Sequence, residues 1–132
     1  MSLVDPQKKY WFYRGGNLVG IVGVVGSDQP FFCGRIEPAE GYGEIAPLLE
    51  RLAVNRRQRR SPDIVGVSAD KRAARDRLAY EHAQIVQEFA QPGLRMVDMA
   101  TGELVFEPLD LEVDERGFWW TGHIWQDGKR IT

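Results

Sequence analysis

The segment from Phe118 to Trp125, reading FWWTGHIW, limits the possible folds of this chain more than any other. Successive side chains of a strand point to opposite faces, so Phe118, Trp120, Gly122 and Ile124 take one face and Trp119, Thr121, His123 and Trp125 the other. The run near the N terminus divides likewise, with Tyr10 and Phe12 opposite Trp11 and Tyr13. Both faces then carry large rings, and both need cover. One solution is a strongly curled sheet whose two halves bury each other. The other is a binding face. Trp and Tyr offer rigid contact area with a polar tip, which makes Trp11, Tyr13, Trp119, Thr121, His123 and Trp125 the candidate binding residues.

Around this segment the pattern predicts strands, then two helices, then strands. Tyr10 to Tyr13, Leu18 to Val25 and Phe31 to Ile36 form a meander, with Gly15, Gly16 and Asn17 turning the first hairpin. Ile45, Leu48, Leu49 and Leu52 recur at helical spacing, predicting a first helix over roughly Tyr42 to Asn55. Pro47 is comfortable only in a first turn, which would move the start to near Ala46. Ser68 or Asp70 caps a second helix that carries Ala74, Leu78, Ile85 and Phe89 on one face and stops at Pro92 and Gly93. Strands return at Leu94 to Met99, Leu104 to Phe106, Leu109 to Val113 and Phe118 to Trp125. Pro108 ends the second of these or lies at its edge, and Asp114 to Gly117 closes a hairpin. With no βαβ alternation, the expected class is α+β: a single domain, 1–132, whose antiparallel sheet of about six or seven strands has both helices packed on one side.

A chain of 132 residues holds a core without staples, and its single cysteine, Cys33, cannot form an internal disulfide. That usage fits a reducing, cytoplasmic setting. The longest apolar run, Leu18 to Val25, is far short of a bilayer span of about 20 residues, and Met1 to Lys9 lacks the order of a signal peptide. No membrane association is expected.

The net charge of -2 hides a segregation: Arg51 to Arg77 holds nine basic residues against Asp63, Asp70 and Asp76, while Asp98 to Glu115 holds seven acidic residues and no basic one. Arg56, Arg57, Arg59 and Arg60 are candidate anion-binding residues that could grip nucleic-acid phosphates. The basic segment lacks aromatics for stacking bases, so pairing with the acidic stretch uses the same charges more economically. Asp110, Glu112 and Asp114 alternate with apolar neighbours on one solvated face, too flat to wrap a hard cation. Cys33 sits in an apolar strand, and His82 and His123 fall short of a zinc spacing, so no metal, cofactor or catalytic residue is assigned. Gly20, Gly23 and Gly26 lie within a strand run rather than before a helix, which reads as close packing and not a phosphate loop.

The apolar, glycine-containing strand from Leu18, followed by Asp28, Gln29, Pro30, Phe31, Phe32, Gly34, Arg35, Ile36, Glu37 and Pro38, resembles a pattern in small bacterial proteins of unknown function. Gly93 to Gly102 is similar to their re-entry into a strand and turn. The resemblance implies a bacterial, cytoplasmic origin and no particular activity.

The expectation is a non-enzymatic interaction module, partnered by itself as a homodimer or by another protein through the aromatic face. A small-molecule binder or enzyme with a pocket around Trp119, His123 and Trp125 is one alternative. Nucleic-acid binding through the arginines of Arg56 to Arg77 is the other.

Overall fold

The computed structural model describes residues 7–28, 30–115 and 117–132. The expected lack of signal-peptide order at the N terminus falls mostly outside that range, as does Gln29 of the resemblance. Three strands, β1 (Lys9–Arg14), β2 (Asn17–Asp28) and β3 (Phe31–Pro38), precede α1 (Tyr42–Arg59), a single 3-10 turn (Pro62–Ile64) and α2 (Ala69–Ala90). Four more follow: β4 (Leu94–Asp98), β5 (Leu104–Asp114), β6 (Gly117–Gln126) and the two-residue β7 (Lys129–Arg130).

The sheet is not the expected open one. Its order is β3-β2-β1-β4-β5-β6, and β3 also pairs with β6 through Phe32↔Trp120, Cys33↔Trp119 and Gly34↔Phe118, closing six antiparallel strands into a barrel. β7 adds to β6 outside the ring, at Trp125↔Arg130. Closure removes the sheet edges and supplies an interior, which is where one aromatic set goes. The pairs Phe12↔Met96, Met96↔Phe106, Leu111↔Trp120 and Phe32↔Trp120 put their side chains on the inner face. Phe106 meets Tyr10 at 5.4 Å, Phe32 at 4.8 Å and Trp120 at 5.4 Å, a ring cluster whose contacts each add about 1 kcal/mol beyond burial.

Two glycines let the walls curl this tightly. A Cβ on Gly34 would lie 2.4 Å from the Gly23 carbonyl oxygen and 3.1 Å from the Trp120 ring. One on Gly122 would lie 2.1 Å from the Glu107 carbonyl oxygen. Gly122 faces Pro108, next to a bulge between Pro108 and Asp110. The proline therefore neither ends a strand nor marks an edge: β5 runs through it, because a bulge tolerates the missing N–H.

The helices do not cover one face of a sheet. α1 touches both β2 and β5, which stand opposite each other in the ring, so it lies across one end of the barrel. Its Ile45, Leu48, Leu49 and Leu52, with Ile85 and Phe89 of α2, join the interior rings in one core. Gly41 N–H donates to the Leu18 carbonyl at 3.0 Å, tying the start of α1 to the β1–β2 turn. The helix begins at Tyr42 with Pro47 inside it and continues past Asn55 to Arg59. α2 is capped as expected: the Ser68 hydroxyl accepts from Lys71 N–H at 3.2 Å. Among the described residues no helix is long and apolar enough to cross a membrane.

Candidate functional site

Among the described residues, no helix lies over the end of the barrel opposite α1. That end is built from the start of β1, the end of β4, the start of β5 and the end of β6, and it holds a cavity of about 240 Å³. Tyr10, Leu104, Val105, Ile124, Trp125 and Ile131 give it apolar and aromatic walls; Lys8, Asp98, Thr101, Glu103, Gln126 and Asp127 supply polar groups.

The placement of Asp98 follows from strand parity. Tyr10 pairs with Asp98 and Phe12 with Met96, so Leu94, Met96 and Asp98 share the inward side of β4. Asp98 is 4% exposed, a carboxylate nearly lost to solvent. Lys8 Nζ lies 3.6 Å from its Oδ2, and its Oδ1 accepts the Ala100 N–H at 2.8 Å. A buried charge needs such partners to be tolerable at all. Behind the cavity Tyr10, fully buried, sits edge-on to Phe106 and connects the site to the ring cluster. In front, β6 outruns the barrel and folds back through Asp127, whose φ is 52°, and Gly128 into β7. Ile131 N–H donates to the Ile124 carbonyl at 2.8 Å, which holds this flap of chain against the mouth. Trp125 Nε1 donates to the Glu107 carboxylate, fixing the indole as one wall.

The candidate binding residues are not brought to one place. Trp125 lines the cavity. Trp119, Thr121 and His123 share the outer face of β6, each half-buried, with tips bonded inside the chain: Trp119 Nε1 to Asp114 Oδ1 at 3.1 Å, Thr121 Oγ1 to the Pro30 carbonyl at 3.2 Å, and His123 Nδ1 against the Thr132 carbonyl at 3.2 Å. Trp11 and Tyr13 face outward from β1, with Arg95 5.3 Å above the Tyr13 ring. Cys33 is buried in β3.

The candidate anion-binding arginines divide similarly. Arg56 reaches Asp110 at 3.7 Å and Glu112 at 3.5 Å, and Arg60 reaches Glu112 at 3.6 Å. His82 Nε2 joins Asp110 at 3.1 Å. Two of the three acidic positions read as a solvated face are thus clamped beneath the helices, at side-chain exposures of 21% and 20% for Asp110 and Glu112, while Asp114 accepts from the Trp119 indole. Burial, and then the adjacent Arg56 charge, lowers the pKa of Arg59. Arg57 is exposed.

Sequence reasoning missed Lys8, Tyr10, Asp98, Glu103, Ile124 and Asp127 as a set. One signal was present: an ionisable residue two positions after Met96 and four after Leu94, on the parity that goes inward. Among the described residues no group of His, Cys, Asp and Glu is placed to hold a metal. Compared with protein-family models, with curated proteins and with solved structures, the chain matches none.

Proposed function

We propose that the protein binds a small molecule at the end of its barrel opposite α1. The observation that carries this reading is the 240 Å³ cavity, with apolar and aromatic walls and the near-buried Asp98 converging on it. Ligand sites favour the mouths of barrels and combine apolar lining with a few fixed polar groups. The volume lies below the roughly 300–1,000 Å³ typical of drug-sized ligands, so the occupant is a single ring or a short chain. Binding rather than turnover fits the site, because Asp98 is already engaged by Lys8 and the Ala100 N–H. The lone buried Cys33 accords with a cytoplasmic setting.

Ligand-observed NMR against single-ring fragments tests this, with Leu104→Trp as the filled-cavity control. Fragments that bind the unaltered chain and are lost in Leu104→Trp support the reading. Fragments that bind both equally, or none at all, refute it.

A second reading is self-association through the outer face of β6, where Phe31, 37% exposed, and Leu109, 42% exposed, flank Thr121. Light scattering at rising concentration should then report a dimer that Phe31→Asp dissolves; a monomer throughout removes this reading.

A further inference from the structure

The charge of the cavity says more than its shape. Its lining has one cationic side chain, Lys8, against three carboxylates, Asp98, Glu103 and Asp127. Lys8 stands 3.6 Å from Asp98, so these two offset each other at the base. Glu103 and Asp127 are both exposed on the rim, and neither has an ion-pair partner among the described residues. A concave site with low-dielectric walls and one prevailing sign concentrates counter-ions of the other sign. Trp125 adds a ring system, whose face attracts cations.

An anion would fare badly here. To reach Lys8 it would have to displace Asp98, which the Ala100 N–H also holds at 2.8 Å, and it would pass between Glu103 and Asp127 on the way. A neutral ligand would fill the apolar walls but leave the rim carboxylates unused.

Resting on the reading of this cavity as a ligand site, we infer that its ligand is a small organic cation: an amine on an apolar or aromatic body. The body packs against Leu104, Ile124 and Trp125, and the ammonium lies toward Glu103 and Asp127.

Three probes of matched shape test it on the full chain: 2-phenylethylamine, 2-phenylethanol and 3-phenylpropionate, followed by calorimetry and by the Trp125 indole N–H resonance. The amine should bind about tenfold more tightly than the alcohol, and the acid most weakly. The amine's advantage should shrink with added salt and vanish in the Glu103→Gln/Asp127→Asn double variant. If amine and alcohol bind equally and Leu104→Trp excludes both, the cation preference is wrong while the ligand site stands. If the acid binds best, the preference is likewise wrong. If none of the three binds, the ligand site fails and the preference falls with it.

Discussion

The two ends of the barrel are made of the same strands and treated in opposite ways. At one end α1 lays Ile45, Leu48, Leu49 and Leu52 across the ring and α2 adds Ile85 and Phe89, so the interior continues into the helices as one core. At the other the strands end in turns and a two-residue β7, and the interior opens into a cavity. The buried polar groups differ accordingly. Asn55, fully buried at the covered end, donates through Nδ2 to the Leu78 carbonyl at 2.9 Å and so clips the two helices together. Asp98, at the open end, meets a flexible lysine and a turn N–H. One end spends its polar group on holding elements in place, and the other presents it to a void.

Truncating the covered end should cost the most. Leu52 is 1% exposed, and Leu52→Ala removes packing that the barrel and both helices cannot recover by collapsing. A loss of about 3 kcal/mol is expected in urea unfolding, with the slope unchanged. If the loss were under about 1 kcal/mol, α1 would be an appendage rather than the barrel's lid.

Next in size is Asn55→Leu, which removes the side-chain donor that α1 adds to the Leu78 carbonyl of α2 and forces a branched side chain into a filled site. About 2 kcal/mol is expected, again from urea unfolding. A neutral outcome would mean that the helix pair is held by its apolar contacts alone.

How far these two ends could be told apart in the sequence depends on the range of the signal. α2 was legible because its cap and its stripe of Leu78, Ile85 and Phe89 are local. The β1–β2–β3 meander was legible because its turns are short. Closure was not. The β3–β6 seam joins Phe32 to Trp120 across most of the chain, and its local trace is a glycine at 34, which is required both by the Gly23 carbonyl of the adjacent β2 and by the Trp120 ring across the seam. The curled sheet weighed for the two-faced aromatics was the nearer reading, and the inner half of β6 obeys it: Phe118 and Trp120 are each 1% exposed. Pro47 and Pro108 misled for a common reason, since both sit where tertiary packing outweighs a local penalty, inside α1 and beside the β5 bulge. Of the site, Trp125 was legible as a ring with no obvious cover. Asp98 was absorbed into a count of acidic residues, because its partners Lys8, just before β1, and Tyr10, within it, come from far earlier in the chain.

The smallest stability effect belongs to the open end, and there it separates binding from folding. Asp98→Asn keeps an oxygen to accept the Ala100 N–H and loses only the attraction to Lys8, whose side chain is 26% exposed. Stability should fall by about 1 kcal/mol or less, since a partly solvated pair returns little. The cavity would change character far more: the lining would go from one cation facing three carboxylates to one facing two. A cationic ligand should therefore lose affinity several-fold in a protein whose urea midpoint has hardly moved. A shift of several kcal/mol would instead make Asp98 a structural group, comparable to Asn55, and the contrast between the two ends would collapse.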